Sequence, residues 1–293
     1  MVYGILKKSV KSILRVFGIE RVKIKKVISQ WSVRMALMEI GFCGSVDRLR
    51  IIVPDISNQE EGGREVFKDY GELKRRSLQA FQCFLMTEAI KNLPAKELTV
   101  VDIGDSAGTH MLYLKELTKG KHAIDTISVN LDPRAIKKIK ARGLKAILCR
   151  AEDLDLGGKA VDLFTSFEMV EHLHNPAIFF RNLSKSSSCR RMVVTVPYLR
   201  QSRVALQHLK REGRERVFAE DVHVFELSPN DWTLLFLHSG WRVVYSKIYY
   251  QYPRKWLLGS WLLSLYWRIT DFEGFWGVIL EKDNTFSDLY QDW

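Results

Sequence analysis

The sequence has 293 residues, of which 46% are hydrophobic, and its formal net charge is +11 at pH 7. This length and apolar content support one large packed domain with an extension. The four cysteines, Cys43, Cys83, Cys149 and Cys189, lack a C-x-x-C spacing, which argues against a metal cluster and favours a reducing, cytoplasmic setting. No segment reaches the length of a transmembrane helix, and lysines interrupt the first apolar stretch, so we expect neither a membrane span nor a signal peptide.

Basic residues are concentrated near the start of the chain. Residues 1–53 hold eleven Lys or Arg and three acidic residues, which is +8 of the total charge of +11. Within residues 5–17, apolar positions recur at helical spacing and lysines occupy the other side. Such a helix can lie on the anionic inner face of a membrane or pack on its own domain, and nucleic acid is a weaker alternative because no RNA-binding module is recognisable. We expect residues 1–60 to form a mainly helical extension, joined by a hinge at 59–63 to a domain of residues 61–293.

From residue 80 the sequence alternates between helical and extended patterns, as an α/β domain does. Asp132 followed by Pro133 marks a helix start, and Gly143 marks its end. The predicted elements are, in chain order, a helix at 80–93, a strand at 98–103, a helix at 111–117, a strand at 126–131, a helix at 134–142, strands at 146–149 and 161–167, a helix at 176–183 and a strand at 192–196. This order predicts a doubly wound, mostly parallel sheet with ligands at the carboxyl ends of its strands.

A turn of small residues, Gly104 to Gly108, follows the first strand and precedes a helix. Glycine lets the chain bend sharply and lets a ligand approach the peptide groups, while a helix N-terminus offers N–H groups to an anion or a polar ligand. Ser106 stands where a dinucleotide-binding motif would carry its middle glycine. By itself the turn therefore indicates either a nucleotide-like ligand or an ordinary strand–helix connection.

Polar or otherwise distinctive residues follow each of the five predicted strands. They are Asp102, Gly104 and Asp105 after the first, Asn130 after the second, Ala151, Glu152 and Asp153 after the third, Phe167, Glu168, Glu171 and His172 after the fourth, and Pro197 and Tyr198 after the fifth. Because the carboxyl ends of parallel strands meet at one edge of a sheet, we expect these residues to form one site.

Four segments resemble motifs of one enzyme family. Residues 100–108 (VVDIGDSAG), 128–133 (SVNLDP), 151–154 (AEDL) and 167–176 (FEMVEHLHNP) are similar to motifs of class I S-adenosylmethionine-dependent methyltransferases. The last segment resembles the small-molecule, methyltransferase type 11-like branch, and weaker likeness extends over about residues 80–282.

The resemblance implies a Rossmann-like, seven-stranded sheet whose last strand is antiparallel, with the sixth and seventh strands at 241–249 and 274–281. It also implies S-adenosylmethionine as methyl donor and S-adenosylhomocysteine as product. The cofactor-binding residues that it implies are Asp102, Gly104, Asp105, Ser106, Gly108, Asn130, Leu131, Ala151, Glu152, Phe167 and Glu168. Asn130 departs from the family pattern, in which an acid grips the ribose hydroxyls; an amide can still bond a hydroxyl, but without charge assistance.

The expected reaction is O-methylation of a small-molecule, glycan-linked or lipid-linked acceptor, which benefits from a general base. The candidate bases are Glu171, His172 and His223, with His174 as a further candidate. His223 is favoured because it follows the fifth strand, where the family builds its acceptor pocket. The alternative is that each histidine is solvated or structural, and that Glu171 and His172 cap the next helix. No metal site is predicted.

Two inserted segments flank the predicted pocket. The first, at 199–222, carries six basic residues, which either form a lid over an anionic acceptor or belong to an exposed helix whose acids pair with them. The second, at 252–270, is rich in Trp and Leu; it either anchors at a membrane surface or packs on the sheet or a second subunit. The sequence leaves the oligomeric state open.

Three functions remain open at the level of sequence. The first is an active methyltransferase, and the second is a non-catalytic binding protein on the same fold, with its cofactor grip weakened at Ser106 and Asn130. The third is an RNA methyltransferase. The fold alone cannot separate them.

Overall fold

The computed structural model describes residues 21–56, 68–91, 93–204 and 222–291. Its helices are α1 (Arg21–Ile40), α2 (Cys43–Ile52), α3 (Lys68–Ile90), α4 (Thr109–Leu117), α5 (Pro133–Ala141), α6 (Pro176–Ser186), α7 (Pro229–His238) and α8 (Leu257–Thr270). Its strands are β1 (Glu97–Ile103), β2 (Ala123–Asn130), β3 (Lys145–Leu148), β4 (Leu163–Phe167), β5 (Arg191–Pro197), β6 (Arg203–Val204), β7 (Phe225–Glu226), β8 (Trp241–Tyr250) and β9 (Gly274–Lys282). The predicted helix at 5–17, the predicted hinge and residues 205–221 lie outside the described residues.

Seven strands form one sheet in the order β3-β2-β1-β4-β5-β9-β8. The pairs among β1 to β5 are parallel, whereas β9 is antiparallel to both β5 and β8. The register aligns Val101 of β1 with Ile127 of β2 on one side and with Phe164 of β4 on the other. The predicted doubly wound sheet is confirmed, and its first strand lies inside the sheet rather than at a border.

Three helices that follow strands begin at a polar cap and a proline. Asp132 accepts a hydrogen bond from the backbone N–H of Arg134, and Asn175 accepts one from Ile178, at the starts of α5 and α6. Ser228 caps α7 in the same way. Each cap satisfies an N–H group that the helix itself cannot, and the proline after it has no N–H to satisfy. The predicted cap at Asp132 is confirmed.

Helix α3 begins twelve residues before the predicted start at residue 80. Its first half is anchored to the end of α2 by a buried arginine, Arg76. The guanidinium of Arg76 donates to the backbone oxygens of Val53 at 2.9 Å and Pro54 at 2.7 Å, just after α2, and to Glu72 at 2.7 Å. These bonds satisfy carbonyls that the end of α2 leaves unpaired. A hydrophobic pattern carries no sign of such a polar anchor.

Helix α1 packs on the same face of the sheet as α8 and α3. Ser32 donates to the backbone oxygen of Gln251 at 2.7 Å and accepts from Trp267 Nε1 at 3.0 Å, while Ser29 and Tyr266 share a hydrogen bond of 2.6 Å. Buried residues of α1 and α2 belong to the core cluster that covers this face of the sheet. The division of the chain at residue 60 stays a prediction, but residues 21–56 share a core with the sheet.

Helix α8 is amphipathic. It buries Trp267 and Leu263 against the core and exposes Trp261 and Leu262, which are 64% and 59% accessible. Among the described residues, no helix combines the length and the apolar character that a membrane crossing would need. The exposed side of α8 is a surface feature, and a membrane contact there stays a prediction.

Candidate functional site

The turn between β1 and α4 is held by the carboxylate of Asp105. Its Oδ1 accepts from the backbone N–H groups of Ala107 and Gly108 at 3.0 and 2.7 Å, and its Oδ2 accepts from the Ser128 hydroxyl at 2.6 Å. Two N–H groups that the sequence offers to a ligand are thus paired within the turn. Asp105 is 5% exposed, so it fixes the conformation of the turn and does not lie on the surface of the site.

Asn130, at the end of β2, binds the same turn. Its amide nitrogen donates to the backbone oxygen of Asp105 at 2.9 Å, and its amide oxygen accepts from the backbone N–H of Asp132 at 2.8 Å. A primary amide has a second N–H, so Asn130 retains a donor for a ligand hydroxyl. The next residue, Leu131, is 60% exposed and presents an apolar surface at this edge of the sheet.

The start of the turn lies against the segment that follows β4. Gly104 has φ +94°, and a Cβ there would come within 2.6 Å of Met169 Cγ. Glu168 has φ +50°, a left-handed conformation that is uncommon for a residue with a side chain. Residues held in such conformations cluster at functional sites. The two peptide segments therefore approach closely at the centre of the sheet edge.

Below the turn lies a network of buried and half-buried polar side chains. His110 Nε2 and Gln82 Oε1 are 2.8 Å apart, and Gln82 Nε2 donates to Thr195 Oγ1 at 3.0 Å. Burial lowers the pKa of His110 to about 4, so its ring is neutral at pH 7. Asp102 accepts from Thr165 at 2.7 Å, and burial first and Asp105 second raise the pKa of its carboxyl group.

A second cluster lies immediately after β4. Glu171 is 1% exposed, neither of its carboxylate oxygens has a hydrogen-bond partner among the described residues, and burial raises its pKa. The rings of His172 and His223 meet edge to face, with centroids 4.7 Å apart. The predicted bases Glu171, His172 and His223 therefore lie together, although fifty residues separate the two histidines in the sequence. His174 is exposed and is not part of this cluster.

The β6–β7 ribbon supports this cluster. Glu226, in β7, accepts from His223 Nδ1 at 3.3 Å and is also bonded to Arg203. Arg200 forms two hydrogen bonds, of 2.9 and 3.0 Å, with Glu273. Both basic residues of the first inserted segment that the structure describes are thus paired with buried acids outside that segment, which argues against an anion-binding role for these two residues.

Residues 101–186 match the family model described as "Methyltransferase domain". Among solved structures, a putative sarcosine dimethylglycine methyltransferase from Galdieria sulphuraria is similar, with 12% identity and a TM-score of 0.55 over 83% of this chain and 99% of that chain. Geranyl diphosphate C-methyltransferase from Streptomyces coelicolor A3(2), solved with Mg²⁺, geranyl-S-thiolodiphosphate and S-adenosylhomocysteine, has 12% identity and a TM-score of 0.54 over 80% and 91% of the two chains. A search of curated proteins found no match.

At this identity the solved structures show the fold, and the family match shows the domain type. Residues 101–186 match a methyltransferase domain, and the sheet has the fold of the solved methyltransferases. The methyltransferase domain implies S-adenosylmethionine as cofactor, and the residues at the sheet edge fit it. The fit rests on a turn of positive φ at Gly104, an exposed apolar Leu131, a spare donor on Asn130 and a buried Glu168 Oε1 without a partner among the described residues.

The implied cofactor residues lie at one edge of the sheet, but they differ in how far they are buried. Asp102, Asp105 and Gly108 are buried, and a Cβ on Gly108 would come within 2.4 Å of Leu144, so this glycine serves packing. Ser106 and Leu131 are exposed. The half-buried members are Gly104, Asn130, Ala151, Glu152, Phe167 and Glu168. Their contacts with the cofactor stay predictions.

The sequence does not predict the polar network beneath the candidate site. Gln82, His110 and Thr195 join α3, α4 and β5, and the ring of His110 lies 4.6 Å from that of Phe167. His110 is the second residue of the helix after the glycine turn, which was the one signal available in the sequence. Nothing in the pattern of α3 distinguishes Gln82 from a surface glutamine.

Proposed function

We propose that the chain is an active methyltransferase that methylates a hydroxyl group of a small-molecule, glycan-linked or lipid-linked acceptor. The observation that carries the proposal is a partly buried set of acids and imidazoles, Glu168, Glu171, His172 and His223, beside the glycine turn. A purely structural edge of the sheet would not need two acids with unpartnered oxygens.

The residues of the turn and of the neighbouring strand ends would hold the cofactor. When bound, S-adenosylmethionine supplies a methyl group on a positively charged sulfur, which a nucleophilic oxygen can displace. The chain supplies position and electrostatic environment: Asp105 and Asn130 fix the turn, and Glu168 and Phe167 lie beside it. Glu171, His172 and His223 would face the acceptor, where one of them could accept the hydroxyl proton.

The test is transfer of an isotopically labelled methyl group to a panel of phenols, sugars, lipid-linked glycans and RNA. We expect the label in an alkali-stable ether, with a rate that falls about 10²–10⁴-fold in His223→Ala if a general base is lost. Label found only in RNA would favour the RNA methyltransferase. Cofactor binding without any transfer would favour the non-catalytic alternative.

We further propose a cytoplasmic protein that associates with an anionic membrane through the exposed side of α8. This proposal is supported by the exposed side of the helix, which carries Trp261, Leu262, Leu265 and Ile269. Cationic residues lie near both ends of the helix. We expect Trp261→Asp to reduce co-sedimentation with anionic liposomes, whereas Ile178→Asp, on α6, should not. Equal sedimentation of both variants and the parent protein would contradict this surface.

A further inference from the structure

Glu171, His172 and His223 have the arrangement of metal ligands. One candidate ligand atom from each lies within 4.8 Å of the others. Ligand atoms at about 2.0–2.2 Å from one bound cation lie no more than about 4.4 Å apart. Small side-chain rotations would therefore bring all three onto a single ion. The backbone N–H of Val224 donates to the backbone oxygen of Glu171 at 2.7 Å, which fixes the two segments against each other.

Several carboxyl oxygens in and beside this cluster lack hydrogen-bond partners among the described residues. Both carboxylate oxygens of Glu171 and Oε1 of the neighbouring Glu168 are buried without hydrogen-bond partners among the described residues. A buried carboxylate is normally paired, protonated or bound to a metal, because removing its charge from water costs several kcal/mol. A cation bound to Glu171 would supply the missing partner for its carboxyl oxygens.

Both imidazoles are oriented as metal ligands usually are. His172 Nδ1 lies 3.0 Å from the backbone oxygen of Val222, and His223 Nδ1 lies 3.3 Å from Glu226 Oε1. A carbonyl or an ionised carboxylate can only accept, so Nδ1 is the donor in each contact and Nε2 would be the metal ligand. Metal-bound histidines almost always donate their other N–H to a carbonyl or carboxylate in this way. Arg203 in turn holds Glu226.

We propose that Glu171, His172 and His223 bind one divalent cation, with Glu168 beside it, and that the open coordination position takes the acceptor hydroxyl. The mixed carboxylate and imidazole set suits Mn²⁺, Fe²⁺ or Zn²⁺. The cation site stands on its own geometry, whereas the role of the acceptor hydroxyl rests on the proposed function. A hydroxyl bound to such a cation has a lowered pKa and can lose its proton to solvent water, so with the cation bound the two histidines promote this loss as ligands, and without it one of the three residues is the proposed base.

The test is a titration of the full-length protein with MnCl₂, followed by the electron paramagnetic resonance signal of free Mn²⁺. We expect one Mn²⁺ per chain, and we expect Glu171→Gln and His223→Gln to weaken its binding at least about tenfold. His174→Gln is the matched control, because it removes an exposed histidine from the same loop, and its binding should equal that of the parent. Mn²⁺ should also raise the melting temperature of the parent and of His174→Gln but not that of Glu171→Gln.

Absence of binding at millimolar Mn²⁺, Co²⁺ and Zn²⁺ would overturn the site, as would unchanged Mn²⁺ affinity in both ligand variants. Titration of the same preparations with S-adenosylhomocysteine separates this result from the proposed function. Binding of S-adenosylhomocysteine without Mn²⁺ overturns the cation site alone. Binding of Mn²⁺ without S-adenosylhomocysteine supports the cation site and overturns the methyltransferase proposal.

Discussion

Asp105→Ala is expected to lower the free energy of unfolding by about 3–5 kcal/mol. The substitution leaves three donors without their acceptor: the N–H groups of Ala107 and Gly108 and the hydroxyl of Ser128. A buried donor left unpaired costs about 1–3 kcal/mol, and the Ser128 hydroxyl is the one most able to find another acceptor. Urea unfolding of the parent and the variant at the same pH measures the difference.

Asp105→Asn is the control, because it keeps an oxygen for the two backbone N–H groups and lets the new amide donate to Ser128. We expect it to cost only about 1–2 kcal/mol, since charge assistance is lost and the Ser128 hydroxyl hydrogen loses its acceptor, but the two backbone N–H groups remain paired. An alanine variant as stable as the asparagine variant would show that the turn is not held by this carboxylate.

The second large effect is a loss of stability in acid that comes from His110. Burial lowers its pKa from 6.5 to about 4 in the folded protein. Between these two pH values the unfolded chain binds a proton that the folded chain does not, so stability rises with pH and is lost as the pH falls. A shift of this size corresponds to about 3 kcal/mol by pH 4, since one pKa unit is worth about 1.4 kcal/mol.

His110→Gln isolates this contribution, because an amide can still bond Gln82 but does not titrate. Unfolding free energies of both proteins should be measured from pH 7 down to pH 4. The parent should lose about 3 kcal/mol more than the variant over this interval. Parallel curves would mean that His110 takes up its proton in the folded state at an ordinary pH.

The sheet was accessible from the sequence because its strands are apolar runs bounded by caps and glycines. Both Asp132 and Asn175 stand directly before a proline, a local signal that needs no tertiary information. Helix α3 was predicted too short, since its first half depends on Arg76, whose acceptors lie more than twenty residues away along the chain. Long-range polar anchors leave no periodic pattern.

The sequence predicts where the site lies, but not the role of each residue in it. The family resemblance predicts that Asn130 faces the cofactor. In the structure its amide nitrogen donates to the turn at Asp105, and its amide oxygen accepts from Asp132 at the start of the next helix. Glu171 and His172 share a motif, whereas the third member of their cluster, His223, was tied to them only by the expected position of the pocket. Their orientation depends on the backbone oxygen of Val222 and on Glu226, and the sequence does not show that the two rings contact these groups.

The most direct test of the account is calorimetric titration of the full-length protein with S-adenosylhomocysteine. A Cβ at Gly104 would come within 2.6 Å of Met169 Cγ, and the residue carries a positive φ, so Gly104→Arg would displace the turn on which the cofactor is expected to lie. We predict micromolar binding to the parent protein, about −8 kcal/mol, and none to the variant. No binding by the parent at millimolar S-adenosylhomocysteine, or equal binding by Gly104→Arg, would contradict a cofactor site at the end of β1.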